Sequence, residues 1–260
     1  MQRIRWIWAL AVVLTVLTGV VDAAQAQVLT MGDAINKAGR QRMLTQRMIK
    51  AYALAGMKLG DDAEHELHAA ATLYDAQLTE LTAFAANAEE RAQIDRITHL
   101  WSDLRERLSG GPERTRAGDL NDLAEQLLGE SHQLVLLLEK RSGTVAGKLV
   151  NIAGRQRMLS QRIAKIYLLQ TWGVEQDHLA TQYRSAVEQF SDALKTLQRA
   201  DINTPEVDAA LADVAKNWGV FKISDFSKKY NTRVPWLVTR SMNRILGQMN
   251  EITAMYAGLY

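Results

Sequence analysis

Asn36-Lys-Ala-Gly-Arg-Gln-Arg-Met-Leu-Thr-Gln-Arg-Met-Ile-Lys-Ala-Tyr-Ala-Leu54 returns 115 residues later as Asn151-Ile-Ala-Gly-Arg-Gln-Arg-Met-Leu-Ser-Gln-Arg-Ile-Ala-Lys-Ile-Tyr-Leu-Leu169. Thirteen of the nineteen positions are identical, and three arginines, two glutamines and a lysine are among them. Four of the six differences exchange apolar or small residues, the kind of change a packed helix tolerates. A fold needs a pattern of apolar positions, not a set of identical polar ones. The repeated polar set therefore points to a task beyond folding, and four cations on one short helix point to an anion.

Outward from the motif, the chain reads as helices. Three prolines in 260 residues and few alternating β-branched runs predict an all-α protein. The first motif helix is expected over about 30–56 and a second over about 62–86, separated by Gly56 and Gly60-Asp61-Asp62. Asn87, followed by Glu89 and Glu90, is a predicted N-cap for a third helix ending near Leu108. Ser109-Gly110-Gly111-Pro112 is a loop, with a fourth helix expected from Asp119 or Asn121.

The second half repeats this order. Gly173 closes its motif helix, a helix follows over Asp177 to Arg199, and Thr204-Pro205-Glu206 opens a third that reaches Gly219. Phe221 to Arg233 reads as a longer solvated connection, and a fourth helix begins between Thr232 and Pro235. Trp101 matches Trp218, and Leu128-Gly129 matches Leu246-Gly247, with offsets of 117 and 118. The whole unit is thus duplicated. Four antiparallel helices with short links favour an up-down-up-down bundle. The expected architecture is two tandem four-helix bundles, 27–142 and 143–260. Leu120 to Leu169 lacks proline, which leaves open a continuous helix joining them.

Residues 1–26 read as a secretory signal: Arg3 and Arg5, an apolar run from Trp6 to Val21, then Ala24-Gln25-Ala26. The rival reading is a retained N-terminal anchor with Trp6 and Trp8 at the membrane interface. Either places the mature chain, from Gln27, in the periplasm or outside the cell. Removing Arg3, Arg5 and Asp22 takes the net charge from +2 to +1, which gives no support to nucleic-acid binding. The absence of cysteine excludes thiol catalysis and cysteine-held metals.

Residues three, four and seven apart share a helix face. Asn36, Arg40, Met43, Arg47 and Lys50 form one stripe, mirrored by Asn151, Arg155, Met158, Arg162 and Lys165. Cations there are expected to be solvated or tied to acids on neighbouring helices. Arg42 and Gln46 lie on a different side with Ala38 and Ile49, as do Arg157 and Gln161 with Ala153 and Ala164. An arginine among small and apolar neighbours is costly to bury unless something pairs with it. Gly39 and Gly154 leave bare backbone beside it, where another helix or a ligand can approach. Met43, Leu44, Tyr52, Met158, Leu159 and Tyr167 read as core.

Asn-x-Ala-Gly-x-x-Arg-Met-x-x-x-Arg resembles the P-box of the periplasmic sensor domain of NarX-type nitrate/nitrite histidine kinases. Ala-Gly-Arg-Gln-Arg-Met-Leu-Ser-Gln-Arg is closer still to the PilJ-type N-terminal domain of type IV pilus chemotaxis transducers. The resemblance spans 30–141 and 145–260. It implies a four-helix bundle in which two equivalent arginines, one from each subunit of a dimer, face nitrate or nitrite. The matching positions are Arg42 and Arg157, with Gly39 and Gly154 beside them. Asn36, Arg40, Gln46, Arg47, Asn151, Arg155, Gln161 and Arg162 would support the site. With both boxes in one chain, the arginines meet either within a monomer or across a homodimer. With no signalling module read in this sequence, the expectation is that the ligand is reported through a membrane partner: a sensor kinase, a chemotaxis transducer or a transporter.

The remaining sequence offers little chemistry. His65 and His68 are read as surface residues, and His99, His132 and His178 stand alone. Neither a nucleophile elbow nor a phosphate loop occurs. The expectation is a non-enzymatic module without cofactor or metal. It would bind a small oxyanion or, as the alternative, serve as a ligand-free interaction or dimerisation module built on the motif helices.

Overall fold

The computed structural model describes residues 29–223 and 234–259. Eight helices follow in order: α1 (Met31–Gly56), α2 (Ala63–Phe84), α3 (Ala88–Leu108), α4 (Arg114–Ser142), α5 (Val145–Trp172), α6 (Leu179–Gln198), α7 (Pro205–Ile223) and α8 (Pro235–Ala257). The protein is all-α. Helices α1–α4 close one ring of contacts and α5–α8 a second, so each half is an up-down-up-down bundle. The two bundles meet along the motif helices, with α1 packed on α5, α4 on α5 and α1 on α8. Residues 1–28, which hold the signal or anchor, lie outside the described residues, as do 224–233 of the connection before α8.

Local chemistry explains the boundaries. Thr30, Asn87 and Thr144 cap α1, α3 and α5 by accepting the amides of Asp33, Glu90 and Gly147. Glu90 returns the favour at α3, its Oε2 accepting from the Ala86 amide. Between α4 and α5 the chain does not run on as one helix. Gly143 takes the left-handed conformation, φ 64°, and its amide bonds the Glu139 carbonyl, which ends α4. Helix α4 starts at Arg114, earlier than the expected Asp119 or Asn121, and tertiary contacts account for it. The Tyr52 hydroxyl donates to the Gly111 carbonyl at 3.0 Å and accepts from the Glu113 amide at 2.8 Å, fixing the chain just before the helix. Helix α7 likewise continues past Gly219 to Ile223.

α1 and α5 are parallel and covered over most of their circumference. Each is flanked by its own bundle and by a helix of the other, which explains why both are buried almost throughout, polar positions included. Matched aromatic pairs fill the two bundle cores: Tyr74 against Trp101 at 4.3 Å and Phe190 against Trp218 at 4.2 Å between ring centroids.

Candidate anion site

The motif helices cross at Gly39 and Gly154. A Cβ placed on Gly39 would make only ordinary contact with the Gly154 Cα, at 3.9 Å, but would crowd Arg42 Nη2 at 3.3 Å, so the missing side chains make room for the guanidiniums. Both glycine amides lie inside helical ladders, so the glycines supply space rather than donors. Arg42 and Arg157 converge on this crossing. Nη2 of both lies within 3.5 Å of the position that a Gly39 Cβ would take, and the same holds at Gly154.

The two arginines reach across the seam in a reciprocal pattern. Arg42 Nη2 donates to the Asn151 carbonyl at 3.3 Å, and Arg157 Nη2 donates to the Asn36 carbonyl at 3.0 Å. On the outer side, Arg42 Nη1 meets His132 Nδ1 at 3.0 Å and Arg157 Nη1 donates to Asn250 Oδ1 at 3.3 Å. Nε of both arginines is buried without an acceptor. Their exposure is 1% and 0%, and among the described residues neither is joined to a carboxylate. Burial pushes Arg42 down to about 9; Arg155 lowers it further and Glu139 acts in the opposite direction. Arg157 is held well below the ordinary arginine value by burial, then by Arg40 and Arg42. Two uncompensated cations thus sit together in the interior, where each costs several kcal/mol, of order 3 to 5.

The rest of the predicted set divides into groups with different partners. Arg40 is partly buried and lowered by burial, with Glu80 opposing. Arg155 is exposed, donating to Gln189 Oε1 at 2.8 Å. Asn151 Nδ2 donates to Glu139, while the side-chain oxygens of Asn36 and Asn151 are buried without a donor. Arg47 and Arg162 are tied to acids, to Glu66 at 2.7 Å and to Glu125 respectively.

Lys50 and Lys165 take the second of the two expected outcomes for the stripe, pairing with acids on neighbouring helices, and they do so fully buried. Their side chains are 0% exposed, and Lys50 bonds Glu66 at 2.7 Å while Lys165 bonds Glu125 at 2.6 Å. Burial lowers both lysines, and the acids oppose it. Burial alone would raise Glu66 and Glu125; the neighbouring lysine and arginine outweigh it and hold both carboxyls low.

The two clusters take their one acid from different helices. Lys50 also donates across the seam to Asn243 Oδ1 at 2.8 Å. Asn243 and Glu125 are matched positions of α8 and α4, each reaching the lysine of the other bundle. Only Glu125 is charged; Glu66 on α2 supplies the acid for the first motif. Gln161 donates to Asn243 at 3.3 Å and Gln46 to Thr45 at 3.3 Å, while Oε1 of both is buried without a donor. The repeated Gln41 and Gln156 are structural, donating to the carbonyls of Tyr74 and Phe190.

Sequence reasoning missed His132 and Asn250, which hold the outer nitrogens. The signal was present in the offset of 118 that relates Leu128-Gly129 to Leu246-Gly247, since it maps 132 onto 250. His65 and His68 are exposed, as expected.

The model of the family described as type IV pili methyl-accepting chemotaxis transducer N-term matches residues 23–126 and 141–224. No curated protein and no solved structure gives a match to set beside it. Among the described residues, no helix is long and apolar enough to cross a membrane. Each match contains one copy of the motif, and the chain belongs to this PilJ-type family of sensory domains, carrying it in two tandem copies.

Proposed function

We propose that the protein is an extracytoplasmic, non-enzymatic receptor module that binds nitrate or nitrite between Arg42 and Arg157. The observation that carries this reading is the pair of fully buried guanidiniums that converge on one crossing without a carboxylate. A monovalent, planar, weakly hydrated oxyanion matches their planar donor forks and would cancel part of their mutual repulsion. The Nε donors, unused in the free protein, are available to it. In the related NarX-type arrangement two subunits each bring one arginine; here both come from one chain. The seam is fully buried, so entry requires His132 or Asn250, the partly exposed residues at its outer edge, to move aside. That movement, and any shift of α1 against α5, would be read by a membrane-bound partner of the transducer or sensor-kinase type.

Thermal-shift measurement with nitrate, nitrite and chloride tests the reading. The wild type should gain stability with nitrate or nitrite more than with chloride, by an amount that grows with concentration. The Arg42→Ala/Arg157→Ala variant should show no such gain. An equal response of both proteins would overturn the reading.

A further inference from the structure

His132 and Asn250 stand at matched places in the two repeats and contact matched atoms, yet their chemistry differs. A guanidinium offers donors only, so at 3.0 Å from Arg42 Nη1 the His132 Nδ1 must accept. The ring is therefore neutral, with its proton on Nε2. A proton on Nδ1 would set two donors and two positive charges face to face. Asn250 makes its contact through an amide oxygen and cannot titrate.

The charges around His132 are Arg42 from α1 and Arg155 from α5. Glu139, farther along α4, acts on Arg42 and accepts from Asn151. The α3 charges that reach α4, Arg96 and Glu90, are engaged with Glu130 and Arg141. Partial burial, then Arg42 and Arg155, hold the ring down to about 4 in the free protein.

We propose that His132 takes up a proton when an oxyanion enters between Arg42 and Arg157, so that the module responds to anion and acidity together. This rests on the anion reading above. An anion beside Arg42 offsets the charge that keeps the ring neutral and gives the guanidinium another acceptor. The ring is then released to bind a solvent proton at Nδ1 and to point that N–H at the anion or at water.

The sign follows from linkage. Binding raises the ring's proton affinity, so the anion binds more tightly as pH falls through the bound-state value. The gain levels off below the free-state value of about 4. With a bound ring near an ordinary histidine, about 6.5, the window runs from there down to about 4.

Calorimetric titration with sodium nitrate, in two buffers of different ionisation enthalpy, near pH 5 and near pH 7.5, tests this. Wild type should bind roughly thirtyfold tighter near pH 5 than near pH 7.5 and take up close to one proton per nitrate there. His132→Asn, which installs the residue of the other repeat, should bind with neither pH dependence nor proton uptake. Should that variant fail to fold, the NMR titration midpoint of the His132 ring in wild type, with and without nitrate, gives the same answer: it must rise with nitrate. Nitrate binding that is equally tight at both pH values, without proton uptake, overturns this proposal alone. No nitrate binding at either pH overturns it together with the anion reading.

Discussion

Arg42 and Arg157 each keep a guanidinium in an interior that offers backbone carbonyls, one imidazole and one amide, but no acid. Buried charges in such settings are often replaced by apolar residues at no loss of stability. In anion-free buffer, Arg42→Met/Arg157→Met should be as stable as wild type or more so, by about 1 to 3 kcal/mol in urea unfolding. Its thermal response to nitrate should vanish. A fall in stability would instead mark the pair as structural. These two positions were legible because the motif is written twice and each arginine lies among small and apolar neighbours. His132 was not, because the offset of 118 sets it against Asn250, a different residue, so no repeated side chain marks the position. The full burial of Lys50 and Lys165 was not legible for another physical reason. Spacing says which residues share a face, but not how many faces the neighbours cover, and around these two lysines the neighbours cover that face as well.

At the scale of the element, the two guanidiniums fit into the α1–α5 crossing because two glycines leave them room. An alanine Cβ at Gly39 would meet Arg42 Nη2 at 3.3 Å and Arg157 Nη2 at 3.5 Å, both at the ends of flexible side chains. Gly39→Ala should therefore displace the guanidiniums rather than the helices, leaving stability within about 1 kcal/mol because alanine favours the helix. Nitrate affinity should fall at least roughly tenfold in titration calorimetry, a loss of about 1.4 kcal/mol. The lysine layer is a different kind of contact. Glu125→Gln leaves Lys165 and Arg162 without their acid and should destabilise by on the order of 3 kcal/mol in urea unfolding. Glu66 and Glu125 both have carboxyls held low in the fold, so their contribution is present above the unfolded-chain value and lost as pH falls through the folded one. Acid unfolding followed by circular dichroism should begin below about pH 4.5, and earlier in Glu125→Gln. Turn chemistry made most helix boundaries readable. The start of α4 was not, because Tyr52 of α1 fixes it from a distance, and the continuous α4–α5 helix gave way to a left-handed Gly143.

For the whole molecule, the duplication brings both motif arginines, Arg42 and Arg157, together within one chain. Reciprocal contacts, Arg42 to the Asn151 carbonyl and Arg157 to the Asn36 carbonyl, relate the bundles by an approximate two-fold axis through the Gly39–Gly154 crossing. The sequence left open whether the arginines meet within a chain, because periodicity specifies each bundle but not how two bundles dock. The two repeats differ at the seam in His132 against Asn250 and Glu125 against Asn243. The central claim is that one chain holds one complete anion site made from both copies. Titration calorimetry with sodium nitrate on protein shown by light scattering to be monomeric tests it most directly. The account predicts one nitrate per chain, with binding abolished by Arg42→Ala alone and by Arg157→Ala alone. Two nitrates per chain, or binding that survives either single substitution unchanged, would contradict it.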